Sequence, residues 1–384
     1  MMPLRMTFSF PTTTLFGAGT LVELPKRLQS LGVSRPLVVT DPGLLPTTAF
    51  QKLKMVLDTM PGGWALFAGV HPNPGEMDVI EGAAKYRIEN CDGVVAFGGG
   101  SALDVGKAVR LLVNRPGLIL SEFDWRETWT GLAPCVCIPT TAGTGSEVGR
   151  SSVIIIEKSR RKAVLFNPAL MASLVVLDPE LTVDLPPKLT AATGADALTH
   201  CIESFTSPSF HPLCDGIALE GIHLGVRALP LAVSNGQDLE ARGHMLVVAA
   251  MGAVDFQKDL GATHSLAHPL STVCGMHHGL ANALCLPVVM RFNASRKPGL
   301  YRRVGLACGL DIVTVSETQA DNATIEFIAE LFRKIGIVPG LRPHGVSEAH
   351  VTEMTPQAFA DGCHATNPVP VTEEDLRALY LQAL

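Results

Sequence analysis

The sequence predicts an α/β domain built on a parallel sheet, followed by an all-α domain. Three observations carry that expectation. Short apolar runs alternate with amphipathic stretches through the first half of the chain. Strand signal all but ceases after Asp178. The 384 residues, 47% hydrophobic and 17% charged, suffice for two sizeable cores and exclude a disordered chain.

The strand candidates are Pro36–Thr40, Trp64–Val70, Gly93–Phe97, Val136–Pro139, Val153–Ile156 and Leu174–Leu177. Between them Leu21–Leu31, Phe50–Met60, Asp78–Asn90 and Ala102–Val113 carry helical periodicity. Strands separated by helices pair in parallel, because the crossover needs a helix's length. Beyond the prolines at Pro186–Pro187 the periodicity becomes helical throughout, as in Leu189–Phe205, Leu213–Ala232 and Leu239–Phe256. The expected domains are therefore 1–186 and 187–384.

A net charge of -6 leaves no basic footprint for nucleic acid. From Leu260 to Met290 there is no Asp, Glu, Lys or Arg, but four histidines and two prolines in that stretch argue for a buried helix pair lining a site and against a membrane span. No signal peptide is read at the N-terminus. Nine cysteines without a regular framework suit reduced thiols in a cytoplasmic compartment. Cys135 and Cys137 share a strand face and are read as core.

Two glycine loops follow strand candidates. Gly98, Gly99, Gly100 and Ser101 lead from Gly93–Phe97 into a helix, where backbone N–H groups and the positive end of the helix dipole favour a pyrophosphate. The pattern departs from G-x-G-x-x-G, with Leu103 at the last glycine's place, and Asp104 is read as an electrostatic support for the helix's first turn. In PTTAGTGSE, Thr140, Thr141 and Thr144 set hydroxyls beside flexible glycines. Asp41, ending PLVVTD, can accept hydrogen bonds from ribose hydroxyls and repels a 2′-phosphate, which points to NAD over NADP.

The helical half carries a different chemistry. Asp196 and His200 are four apart and share a helix face. His264, His268, His277 and His278 crowd the charge-free segment. One carboxylate with three imidazoles suits a divalent metal such as Fe(II) or Zn(II), although spacing alone does not choose among these four histidines. A dinucleotide domain joined to such a site makes hydride transfer the leading chemistry.

Taken together, GGGSALDVGK, PTTAGTGSEV, ATGADALTHCIES and GATHSLAHPLSTVCGMHHGLANA resemble the iron-containing (group III) alcohol dehydrogenases, from FPTTTLFGAGT nearly to the end of the chain. The resemblance implies an N-terminal Rossmann-like domain and a helical C-terminal domain, related in fold to dehydroquinate synthase and commonly dimeric, here a homodimer. It implies Asp196, His200, His264 and His278 as metal ligands, with His268 near the nicotinamide and substrate as the candidate proton relay. Cofactor contacts fall on Asp41 and the two glycine loops, with Asn73 of the PNP turn and Lys162 as further matched positions. Gly149, Arg150, Ser271 and Val369 depart from the usual family pattern and touch the expected substrate pocket and C-terminal packing.

The implied activity is NAD-linked, metal-dependent interconversion of a small alcohol and its aldehyde. Arg150 or Lys258 could hold one carboxylate, which admits a short ω-hydroxy acid or semialdehyde as substrate. A metal- and NAD-dependent cyclase of the dehydroquinate-synthase type needs a Lys and Arg cluster for a phosphorylated acid, and only Arg227, Arg242 and Lys258 are basic between Leu189 and Met290.

Overall fold

The computed structural model describes residues 8–158 and 161–384 and divides into two compact units. The first, Phe10–Thr141 with Gly145–Leu185, holds the sheet. The second comprises Pro186–Leu384 with Ala142–Thr144 and residues 8–9. The middle of the second glycine loop thus belongs to the helical unit, a division that no composition shift announces.

In the sheet unit, β1 (Thr14–Phe16), α1 (Leu24–Ser30), β2 (Pro36–Val39), α2 (Thr48–Leu57), β3 (Ala65–Phe67), α3 (Glu76–Ile88), β4 (Gly93–Gly98) and α4 (Gly100–Asn114) alternate. They are followed by β5 (Cys135–Pro139), β6 (Ser151–Ile156), β7 (Arg161–Phe166) and β8 (Leu174–Leu177). Six strands form one parallel sheet in the order β1-β8-β5-β4-β2-β3. Every residue of β2, β4, β5 and β8 is buried, as a parallel sheet covered on both faces requires. Helix α4 lies close on β4 because Gly106 has no side chain: a Cβ there would sit 2.5 Å from that of Ala96. Gly106 therefore serves the helix–strand packing that the last glycine of the standard fingerprint serves.

Strand Val153–Ile156 does not join the parallel sheet. It lies in β6, which pairs antiparallel with β7 in register Ser151↔Phe166 to Ile156↔Arg161. Residues of β6 alternate between half-buried and buried, the mark of a strand covered on one face. Edge strand β1 was not singled out in the sequence; three residues are too few to show a period.

The helical unit contains α5 (Pro187–Thr206), α6 (Pro212–Ser234), α7 (Leu239–Asp255), α8 (Ala262–Cys274), α9 (His278–Arg296), α10 (Arg302–Ala307), α11 (Glu317–Lys334), α12 (Glu348–Ala360) and α13 (Glu373–Ala383). The charge-free stretch forms the expected helix pair, α8 and α9, with Pro269 and Pro287 inside the helices. Among the described residues α6 alone is long and apolar enough to cross a membrane, yet Ala218, Ile222 and Leu229 on it are fully buried in the helical core.

Candidate metal centre and nucleotide loops

Chain order sets the location of the nucleotide loops. From β2 the chain moves outward to β3, then returns to the other side of β2 to lay down β4, β5 and β8. Strand order therefore reverses between β2 and β4, and in open α/β sheets ligands bind at the carboxyl ends of strands at such a switch. Asp41 follows β2 and Gly98–Gly99 end β4. The two are neighbours, since a Cβ on Gly98 would lie 3.6 Å from Asp41 Oδ2. Gly98 has φ +142°, a conformation that a side chain would strain. Gly99 precedes α4 without a side-chain cap, and a Cβ on Gly99 would meet only Thr141, at 3.6 Å. Free N–H groups on Gly100 and Ser101 at an open helix N-terminus fit a pyrophosphate, so these residues fit a dinucleotide.

Thr140 and Thr141 follow β5 beside this loop, with the Thr140 amide donating to the Gly98 carbonyl at 3.0 Å. Asn73 sits after β3 with φ +53°. Its turn is held by the Asp78 carboxylate, which accepts from the Gly75 amide at 3.1 Å, and by the Ile155 amide, which donates to the Pro74 carbonyl at 2.8 Å. Lys162 lies half-buried on β7, and burial lowers its pKa against the opposing effect of Asp104. Thr144 belongs to the helical unit.

Asp104 does more than support its helix. Its carboxylate accepts from the Ser146 hydroxyl and, at 3.0 Å, from the Val153 amide. Lys107, fully buried one turn along α4, donates to the Ser146 carbonyl at 2.9 Å and hydroxyl at 2.7 Å, and to the Ser151 carbonyl. These two residues of GGGSALDVGK clip the end of the second glycine loop to the helix that follows the first. Sequence reading missed Lys107 because a helical lysine is ordinarily solvated.

In the helical unit the structure brings Asp196, His200, His264 and His278 together, with one donor atom from each within 4.8 Å of the others. Asp196 and His200 come from consecutive turns of α5, His264 from the first turn of α8, and His278 from the start of α9. Gly279 lets α9 begin there: a Cβ at that position would lie 2.2 Å from the Ala192 carbonyl of α5. His200 Nε2 and His278 Nε2 stand 3.6 and 3.7 Å from Asp196 Oδ1. Those separations resemble the edges, about 3.4 Å, of a tetrahedral shell with bonds of about 2.1 Å. Burial drives the His200 pKa down to about 4, so its imidazole is neutral at pH 7. Burial pushes Asp196 upward, but the surrounding His200, His278 and His264 outweigh it and hold the carboxyl at about 2. One carboxylate and imidazoles that present ring nitrogens inward fit a divalent cation.

His277 precedes α9, is exposed and lies outside the quartet. His268, one turn beyond His264, stacks on His278 with ring centroids 5.2 Å apart, and its Nδ1 lies 2.7 Å from Asp361 Oδ2. Three further residues escaped the sequence reading. Glu203 meets His264 Nδ1, Asn282 donates its amide to Asp196 Oδ1 at 2.7 Å, and Asp361 orients His268. Glu203 and Asn282 had a legible signal, being polar residues three and four positions beyond His200 and His278 on the same helix faces. Lys258 is committed elsewhere: it is buried, paired with Asp215 and bonded to the Phe205 carbonyl. It is thus not available to hold a substrate carboxylate.

A parallel sheet with one glycine loop at its switch point and a second after the neighbouring strand, and a helical unit with a three-imidazole, one-carboxylate cluster, are the marks of a nucleotide- and metal-binding oxidoreductase. Profiles for the iron-containing alcohol dehydrogenases match residues 11–179 and, for the C-terminal part of the same family, residues 190–384. The 4-hydroxybutyrate dehydrogenase of Cupriavidus necator is 38% identical, over 96% of this chain and 97% of its own. The crystal structure of a 1,3-propanediol oxidoreductase superposes with TM-score 0.95 at 34% identity, covering 99% of this chain and 100% of that one. A sulfoacetaldehyde reductase from Bifidobacterium kashiwanohense, solved in complex with NAD+, superposes with TM-score 0.89 at 28% identity, covering 99% of each chain. The chain belongs to the iron-containing alcohol dehydrogenase family, oxidoreductases that act on CH–OH donors.

Proposed function

We propose that Asp196, His200, His264 and His278 hold a divalent cation, Fe(II) in the first place and Zn(II) in the second, and that the glycine loops hold NAD for hydride exchange with a small alcohol or aldehyde. The observation that carries this reading is the convergence of the four donor atoms within 4.8 Å. When bound, the cation supplies a Lewis acid that acidifies a hydroxyl or polarises a carbonyl. The chain's own residues do the rest. Gly98, Gly99, Gly100 and Ser101 present the open end of α4 to the pyrophosphate, and Thr140, Thr141 and Thr144 add hydroxyls. Asp41 accepts from the ribose and disfavours a 2′-phosphate. Asn73 and Lys162 stand as further cofactor contacts. His268, with Nδ1 turned to Asp361, keeps Nε2 available to move a proton toward solvent.

A short ω-hydroxy acid remains the second substrate class, favoured by the likeness to a 4-hydroxybutyrate dehydrogenase. With Lys258 committed to Asp215, Arg150 is the cation left for that carboxylate. The nine cysteines, all free, suit a cytoplasmic setting, and we propose a homodimer without nucleic-acid or membrane partners. Anaerobic purification with metal analysis, then NAD-linked assays comparing a neutral diol with a hydroxy acid, tests the reading. One Fe(II) or Zn(II) per chain and metal-dependent NADH formation support it; an undiminished rate after the metal is stripped refutes it.

A further inference from the structure

Glu203 is a carboxylate that the proposed mechanism leaves without a task, and it is 5% exposed. Its two oxygens meet two different donors on the first turn of α8. Oε1 accepts from the Thr263 amide at 2.7 Å, and Oε2 lies 2.5 Å from His264 Nδ1. The approach is close: a Cβ on Gly261, just before the helix, would be 2.7 Å from Glu203 Oε1, so a side chain there would displace the carboxylate. Because α8 lacks a side-chain cap of its own, Glu203 satisfies one of its free N–H groups, and Asn367 Oδ1 takes the Ala262 amide at 3.2 Å.

We infer that Glu203 is the positioning residue that sets the tautomer of His264, holding the proton on Nδ1 so that Nε2 faces the quartet as a lone pair. This inference rests on the metal reading for its purpose, but not for its geometry. A carboxylate can only accept, so the imidazole nitrogen against it carries the proton. Asn282 gives an independent sign. Its amide nitrogen must donate to Asp196 Oδ1, 2.7 Å away, which fixes the amide's orientation. With one hydrogen on Asp196, the second faces His264 Nε2 at 3.1 Å and His278 Nε2 at 3.2 Å together, a contact that suits an unprotonated Nε2 on His264. Carboxylates behind metal-bound imidazoles orient the ring and raise its basicity in this way.

The isosteric change Glu203→Gln separates this role from simple packing. Glutamine offers one acceptor and one donor where two donors wait. If its oxygen caps Thr263, its NH2 group confronts Nδ1 and drives the proton to Nε2, onto the atom that faces Asp196. If its oxygen meets Nδ1–H instead, the helix cap is lost. Glu203→Asp keeps both acceptors on a shorter arm and recovers part of the function.

Two measurements test the inference. Long-range 1H–15N spectra of the metal-free wild-type chain report the tautomer directly, with no variant and no metal needed. Nδ1-protonated His264 is the expected result, and an Nε2-protonated ring overturns the proposal. Co(II) is then titrated into metal-free protein against a chelator, with circular dichroism and NADH binding as fold controls. Glu203→Gln is expected to raise the Co(II) dissociation constant roughly 10- to 100-fold, with Glu203→Asp in between. A Glu203→Gln constant within twofold of wild type overturns the proposal. Failure of the wild-type chain to bind Co(II) at all sinks the metal reading, while the tautomer measurement still decides the role of Glu203.

Discussion

Replacing Lys107 with methionine probes the clip between the two glycine loops. Methionine retains most of the apolar stem, so the change removes chiefly the ammonium. That group is fully buried and serves the Ser146 carbonyl and hydroxyl and the Ser151 carbonyl, with Asp104 Oδ1 3.2 Å away. Its loss leaves a nearly buried carboxylate without its cation, a change that costs about 3–5 kcal/mol. For a domain of 150–250 residues each kcal/mol lowers Tm by about 2–4 °C, so the sheet unit is expected to melt roughly 6–20 °C earlier. Ser146 ends the second loop, and freeing it adds ordering entropy to nucleotide binding, about 1.4 kcal/mol or tenfold in the NADH dissociation constant. Scanning calorimetry and NADH fluorescence titration read the two effects, while metal stoichiometry in the helical unit stays at the wild-type value. A Tm drop under about 3 °C with unchanged NADH affinity refutes the clip.

Other perturbations follow from single residues. His268→Ala is expected to lower kcat by roughly 100-fold and flatten its pH profile with metal content retained; full activity and an unaltered profile remove His268 from the proton path. Asp255 is fully buried, both its oxygens lack hydrogen-bond partners, and burial pushes its pKa from 3.8 up to about 9. Across that window the folded chain keeps a proton that the unfolded chain has lost, so this residue makes stability fall as pH rises. Asp255→Asn therefore stabilises increasingly from pH 6 to pH 9 in urea unfolding, and a gain independent of pH contradicts the assignment. Gly279→Ala forces a methyl to within 2.2 Å of the Ala192 carbonyl and 3.0 Å of Asp196 Cβ. It is expected to cost about 1–3 kcal/mol and to lower bound metal, read by thermal denaturation and metal analysis; normal metal content shows that α9 can shift without disturbing the quartet.

The sequence by itself determined the α/β-then-helical order of the chain and the residue types of the candidate site. Alternation of apolar runs with helical periods specified a parallel sheet, because parallel strands need long crossovers. Asp196 and His200 at helical spacing, and histidines in a segment devoid of charge, marked a candidate metal centre through local regularities that survive without coordinates. Tertiary structure alone decided which partners those residues meet. Spacing left His264, His268, His277 and His278 equivalent, and the packing of α8 and α9 on α5 separated them. Lys258 reads as a cation open to a substrate carboxylate and Lys107 as nothing in particular, yet both are buried, Lys107 committed to Ser146 and Ser151 and Lys258 to Asp215. Ala142–Thr144, in the middle of one glycine loop, belongs to the helical unit. Each of these outcomes is a contact between segments distant in the chain, set by burial and close packing, and no local period of the sequence encodes such a contact.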